Sequence, residues 1–318
     1  MGQEWGADGA SRPPFLRQPL PRPGDSLRRL LDDPRITIAP GAADAMTARL
    51  IEEAGFGVVY ITGAGIANAQ HGVPDVGLLG LEDVLRIVRA IVSVVGVPVL
   101  VDADTGFGGS MNVARTVREL EKAGAAGVQL EDQVMPKRCG HFEGKQVVPA
   151  EEMVARLAAA RMARLDPGFV IVARTDARQT HGLGEALDRA RTYTESGADA
   201  IFVEALESED ELARVRGAVP SVPLVVNLVH GGKTPILPAE ILEKLGFSMA
   251  LYANLQLCAA MFAVRRALDH LRDTGSSVGL EDSIASWSER QSLVGLPEVQ
   301  ALEAALGRPD DIAGVNSP

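Results

Sequence analysis

A (βα)8 (TIM) barrel with extra C-terminal helices is the fold class that the sequence predicts, and three observations predict it. Eight short β-forming runs alternate with longer helical runs along the chain. The β-forming runs are apolar at successive positions rather than alternate ones, the pattern of a parallel sheet covered on both faces. The phrases EKAGAAGVQLED and TESGADAIFVEA share one order: helix, Gly, small residues, strand, acid. That is the half-repeat a barrel would produce around its axis. A doubly wound sheet is the competing arrangement.

Taken in order, residues 1–24 hold five of the 19 prolines and no apolar periodicity, which predicts a flexible tail. The strands follow as ITIA (36–39), GVVYI (57–61), VPVLVDAD (97–104) and GVQLED (127–132). The second half continues with FVIVART (169–175), AIFVEA (200–205), PLVVNL (223–228) and SMALYA (248–253). Between them, NVARTVRELEKAG sets Val113, Val117 and Leu120 on one helical face. PAEEMVARLAAARMA opens with Pro149 and acids, as a helix start should, and GLGEALDRARTYTESG stops at Gly197. ANLQLCAAMFAVRRALDHL is the candidate eighth barrel helix, with DSIASWSERQSLVG and PEVQALEAAL left over beyond it. The expected organisation is a single domain over 25–306 and a second tail over 307–318.

Hydrophobic content of 46% is ample for a core, although aromatics are only 4%. A net charge of −11 argues against nucleic-acid and anionic-membrane partners, both of which need a positive field. Two cysteines, Cys139 and Cys258, form no metal spacing and no disulfide framework, which fits a reducing compartment. The longest apolar stretch, IVSVVGVPVLV, is broken by Gly96 and Pro98 and falls short of the roughly 20 residues of a spanning helix. No signal core or myristoylation pattern follows the N-terminus. The expectation is a soluble cytoplasmic protein.

Barrel chemistry sits at the C-terminal ends of strands. Those ends carry Tyr60 and Thr62-Gly63, Asp102 and Asp104, Glu131 and Asp132, Arg174 and Asp176, Glu204, Asn227 and Tyr252. Single acids at such junctions commonly cap helices, but a ring of them repels itself unless a cation sits among them. Hard oxygen donors with few of the imidazole or thiolate groups that zinc prefers point to Mg²⁺, with Mn²⁺ possible. Asp102 or Asp104 is the expected inner ligand, with Glu131 partly through water. Other apparent motifs are discounted. YITGAGIANA lacks the third glycine of a dinucleotide turn, and VHGGKTP lacks the first glycine of a phosphate loop. His71 and His181 read as surface or capping residues, and Cys258 as a small buried hydrophobe.

The connection over 132–148 is long for a barrel loop and carries Lys137, Arg138, Cys139, Gly140 and Lys145, so it reads as a mobile lid. Cations beside Cys139 lower its thiol pKa towards neutrality. With this loop in view, VDADTGFGG, GVQLEDQVMPKRCGHFEGK, VIVARTDA, IFVEA and NLVHGGKTP together resemble the isocitrate lyase/phosphoenolpyruvate mutase superfamily, from about Leu27 to the C-terminal helices. The resemblance implies a Mg²⁺-dependent barrel that swaps its last helix between paired subunits, in a homotetramer. Cys139 places the chain with the carbon–carbon lyases of that superfamily.

By the same resemblance Thr62, where serine is more usual, lines the carboxylate end of the substrate with Gly63 and Asp75. Asp102 and Asp104 carry the metal with Glu131 outside it, and Arg174, Glu204 and Asn227 hold the other end. Tyr60 and Gly140 complete the substrate-binding set. Cys139, Arg174, Glu131, His141 and Lys137 form the catalytic set. The expected substrate is a malate-type 2-hydroxy dicarboxylate (an alkylmalate) or oxaloacetate, since HFEGK and NLVHGGKTP look closer to the dimethylmalate lyase and petal-death branch. Cleavage of the tricarboxylate 2-methylisocitrate is the alternative. Phosphonomutase chemistry on carboxyphosphonoenolpyruvate or phosphoenolpyruvate is the second alternative.

Overall fold

The computed structural model describes residues 12–138, 140 and 144–307. Eight parallel strands close into a barrel in chain order. They are β1 (Thr37–Ala42), β2 (Val59–Ile61), β3 (Val99–Asp102), β4 (Gly127–Glu131), β5 (Val170–Thr175), β6 (Ala200–Val203), β7 (Leu224–Asn227) and β8 (Met249–Tyr252). The doubly wound alternative is thereby excluded. Only the first strand departs much from expectation: it runs on through Pro40 and Gly41, which read locally as breakers. Gly41 is required there because the Ala253 backbone occupies the place of a Cβ.

Two cores follow from the continuous apolar strands. The outer one packs strand faces against helices such as Leu81–Val92, whose Val84, Leu85, Ile87, Val88 and Ile91 are all buried. The inner one fills the barrel with Tyr60, Leu100, Val172, Phe202 and Met249 and is plugged from below by Leu27 and Leu31. Those two leucines belong to the helix Pro23–Asp32, so ordered structure begins inside the expected 1–24 tail. Proline at its first position is the residue type that starts helices. Further upstream Pro13 and Pro14 are buried, and Arg17 pairs with Glu52 at 2.8 Å. Proline content suggested flexibility, but tertiary contacts hold this segment.

The helix Leu255–Thr274 has twenty residues and buries none of them. Met261, Phe262, Val264 and Leu268 are each more than half exposed along it. Cys258 lies on this helix and is exposed, not buried as its Ala and Met neighbours suggested, because the helix does not lie down on its own barrel. Of the two later helices, Trp287–Leu293 and Leu296–Leu306, the first returns: Leu293 is buried and its carbonyl accepts from Arg49 Nε at 3.1 Å. Among the described residues no helix is long and apolar enough to cross a membrane.

Candidate active site

Parallel register places the strand-end groups side by side. Asp102 on β3 lies opposite Gln129 on β4, and Glu131 lies opposite Arg174 on β5. Asp102, Asp104 and Glu131 each present an oxygen within 4.8 Å of the others, and all three are buried. Asp104 has a positive φ of 50°, a left-handed conformation that Asp tolerates better than most residues. Burial pushes its carboxyl up to about 7, against the opposing pull of Lys137. Burial likewise pushes Glu131 well above the carboxylate range, with Arg174 opposing. Glu131 Oε1 finds no hydrogen-bond partner among the described residues. Three dehydrated carboxylates and an unsatisfied oxygen fit a hard divalent cation, whose charge would favour the ionised forms of Asp104 and Glu131.

Asp102 is aimed from inside the barrel. Its Oδ1 accepts from Gln129 Nε2 at 3.2 Å and from the Asp104 amide at 3.1 Å. Tyr60 donates its hydroxyl to Gln129 Oε1 at 3.0 Å. Burial first, then Asp102, raises the Tyr60 pKa well above its ordinary value, so it remains a donor. The other Asp102 oxygen faces the start of the Gly63–His71 helix, 3.4 Å from the Gly63 amide. A Cβ at Gly63 would stand 3.2 Å from Asp104 Oδ1, too tight for free substitution. Thr62 caps that helix, accepting from the Gly65 amide at 3.2 Å and donating to Asn254 at 3.3 Å.

Across the mouth, Arg174 lies 3.4 Å from Glu131, 2.9 Å from Asp176 and 3.3 Å from Glu204. Burial disfavours its charge, but the three acids outweigh that and raise its pKa. Asn227 Nδ2 donates to Glu204 at 3.4 Å, and its Oδ1 finds no partner among the described residues. Asp176 ends well below the carboxylate range, at about 2, because Arg174 and Lys145 together overcome its burial.

The loop after β4 lies over this mouth. Lys137 is buried with its ammonium 2.5 Å from Asp75 and 2.6 Å from Asp104. Burial opposes its charge, yet Asp104, Glu131, Asp75 and Asp102 raise its pKa well above 10.5. Gly140 presses against Arg174 and Glu204 with no room for a Cβ. Lys137 and Lys145 thus join Arg174 as cations among the acids. Tyr60, Thr62, Asp75, Asp102, Glu131, Lys137, Gly140, Arg174, Glu204 and Asn227 all line one cavity, and Gly63 and Asp104 adjoin it. Its volume is about 30 Å³, on the scale of a water molecule. Cys139 and His141, assigned catalytic work from the sequence, lie outside the described residues. Gln129 and Asn254 were missed: the one is an uncharged polar residue within an apolar strand, the other the second residue past β8.

The family model for phosphoenolpyruvate phosphomutase matches residues 27–272. The 2,3-dimethylmalate lyase of Eubacterium barkeri is 46% identical over 277 residues, which span 87% of this chain and 96% of that one. A probable 2-methylisocitrate lyase of Corynebacterium glutamicum is also 46% identical, over 85% of this chain and 88% of its own. The solved structure of oxaloacetate acetylhydrolase with the inhibitor 3,3-difluorooxalacetate has a TM-score of 0.85 at 34% identity, over 93% of this chain and 99% of that one. With its closed barrel and a match along most of its length, the chain belongs to the phosphoenolpyruvate phosphomutase family of the isocitrate lyase/phosphoenolpyruvate mutase superfamily.

Proposed function

We propose that the protein is a carbon–carbon lyase that cleaves a malate-type 2-hydroxy dicarboxylate, an alkylmalate, or hydrolyses oxaloacetate. The observation that carries this reading is the mouth itself: a three-carboxylate cation site faces a buried guanidinium, under one loop. A 2-hydroxy acid has a chelating end and a second carboxylate, and the two halves of the mouth match them. Identity supports the class: relatives named for dimethylmalate and methylisocitrate cleavage stand equally near, and a neighbour is named for oxaloacetate.

Asp102, Asp104 and Glu131 would hold Mg²⁺, which when bound lowers the pKa of the substrate hydroxyl and stabilises negative charge at the oxo acid being formed. The protein's own groups do the rest. Thr62, Gly63 and the amides of the helix behind them orient the chelating carboxylate. As a general base takes the hydroxyl proton and C2 becomes a carbonyl, the C2–C3 electron pair passes to C3, giving a carboxylate enolate. Arg174, with Glu204 and Asn227 setting its orientation, receives that charge in a dehydrated site. The Cys139 thiol then delivers its proton to C3, releasing the second carboxylate and leaving a thiolate. The lysines at Lys137 and Lys145 close the loop over the reaction and exclude water.

Assembly belongs to the same proposal. The unburied Leu255–Thr274 helix, with its exposed apolar residues, is read as the element exchanged with a second copy, in a cytoplasmic homotetramer. The function is tested by following oxo-acid release with Mg²⁺ from 2,3-dimethylmalate, citramalate, isocitrate and 2-methylisocitrate, with oxaloacetate loss in parallel. Turnover of an alkylmalate or of oxaloacetate, abolished by EDTA, is expected. Preference for 2-methylisocitrate would move the substrate to the tricarboxylate branch. Silence on all of them, with turnover of a phosphonate, would replace the lyase reading with the mutase one.

A further inference from the structure

Asn254 stands immediately before the Leu255–Thr274 helix, where an asparagine side chain ordinarily caps the first turn by accepting from its amides. It makes no such bond, although Asp44, Ser208 and Ser286 each cap a helix of this chain in that way. The helix is served by the Asn254 backbone alone, whose carbonyl accepts from the Cys258 amide at 3.0 Å. The side chain is turned to the barrel mouth instead, where the residue lines the cavity with Thr62, Asp102 and Glu131. The residue type suits a cap, yet its amide faces the site.

Thr62 fixes the direction of that amide. Its Oγ1 accepts from the Gly65 amide at 3.2 Å and donates its single proton to Asn254 Oδ1 at 3.3 Å. No proton of Thr62 is then left for a substrate oxygen. With Oδ1 directed at Thr62, Asn254 Nδ2 keeps both of its protons and has no partner among the described residues. The backbone around it is held in place. Gln256 Nε2 donates to the Gly41 carbonyl at 3.1 Å and to the Tyr252 carbonyl at 3.2 Å, and the Ala253 backbone packs directly on Gly41. A donor in a set position therefore stands beside Thr62, at the end of the mouth where Gly63 adjoins Asp102 and Asp104. The cavity-lining residues at the ends of β7 and β8, which are Asn227, Val229, Ala253 and Asn254, carry no charge. A neutral amide donor suits a carboxylate whose charge the cation site already balances, and it offers little to a further, unbalanced one.

We propose that Asn254 is a substrate-binding residue whose Nδ2 donates to the chelating carboxylate of the substrate, while Thr62 acts on that carboxylate through Asn254 by orienting its amide. This assignment deepens the lyase reading and rests on it for the consequence in turnover. The contact itself does not depend on which bond is cleaved, because it is made to the end of the molecule that does not react.

The experiment is calorimetric titration of oxalate, in the presence of Mg²⁺, into Asn254→Asp, Asn254→Ala and the unaltered chain, with kcat and KM measured alongside. Oxalate is the probe because it chelates as a 2-hydroxy acid does and cannot be cleaved. Asn254→Asp keeps an oxygen for Thr62 and a residue type that precedes helices, but it replaces the donor with an acceptor of the substrate's own charge. The expected result is an oxalate Kd and a KM raised about 30-fold in Asn254→Asp and about tenfold in Asn254→Ala, with kcat within about threefold. Oxalate binding by Asn254→Asp within about twofold of the unaltered chain would show that the residue only holds Thr62, and would overturn the proposal. An equal loss of Mg²⁺ binding measured without oxalate would place the defect in the cation site and overturn it too, as would a failure of the unaltered chain to bind oxalate. If oxalate binding depends on Asn254 but the unaltered chain turns over no dicarboxylate, the lyase reading fails and the assignment stands. Should Asn254→Asp not fold, as read by circular dichroism, Asn254→Ala carries the comparison through its rise in KM at nearly constant kcat.

Discussion

The barrel mouth and the C-terminal arm invert the usual sorting of residues in opposite ways. The mouth buries charge: Asp104, Glu131, Asp176, Lys137 and Arg174 are nearly without solvent contact. The arm exposes apolar surface, with Phe262 at 64% and Leu268 at 59% on a helix that buries nothing. Buried charge is tolerated in the mouth because acids and cations interleave across adjacent strand ends. No such compensation exists along the arm, since apolar surface in water is relieved only by covering it. The contrast separates two kinds of specialised surface: one preorganised for a small anion, the other apolar and left uncovered among the described residues.

The largest expected effect lies in the mouth. Cys139→Ser should fold as the unaltered chain does and lose turnover by about 10²–10⁴-fold, the range for removing a positioned acid. Near-normal oxo-acid release would remove the thiol from the mechanism. Next, Arg189→Met should destabilise by about 3–5 kcal/mol in denaturant unfolding, because it leaves Asp132 charged and short of its buried partner. A loss below about 1 kcal/mol would mean that Tyr193 and Thr175 suffice to hold Asp132.

On the arm, Leu268→Asp should lower the mass measured by light scattering while leaving barrel circular dichroism unchanged. An unchanged mass would show that this face is not covered by a partner, and the contrast would collapse to one functional region. The smallest effect concerns pH. Asp176 is depressed from 3.8 to about 2, so its contribution is fully present above about pH 4 and is lost as pH falls through about 2. Stability followed from pH 5 to pH 2 should therefore fall by about 2 kcal/mol more in the unaltered chain than in Asp176→Asn.

Much of this molecule can be read locally. The eight strands and the helices between them follow from runs of contiguous residues, and the acids at strand ends follow from where those runs stop. Asp102, Asp104 and Glu131 were legible as an acid cluster that could hold a cation because a (βα)8 barrel brings every strand end to one rim. Even the reach of β1 through Pro40 and Gly41 was misjudged for a local reason, since turn-forming residues were read without the Ala253 backbone that demands a glycine.

What only the tertiary structure decided are contacts between residues distant in the chain. Gln129 reads as one polar residue within GVQLED. Its task of aiming Asp102 emerges only when β3 and β4 pair in register. Lys145 reads as one more loop cation, until folding sets it between Gly140 and Asp176. Cys258 has a buried residue's neighbours on paper and an exposed position in the fold, because the packing of a helix depends on the surface it meets. Periodicity and turn chemistry act over a few residues and are written in order along the sequence. Ion-pair partners and helix docking depend on strand register and closure, which no short segment determines alone.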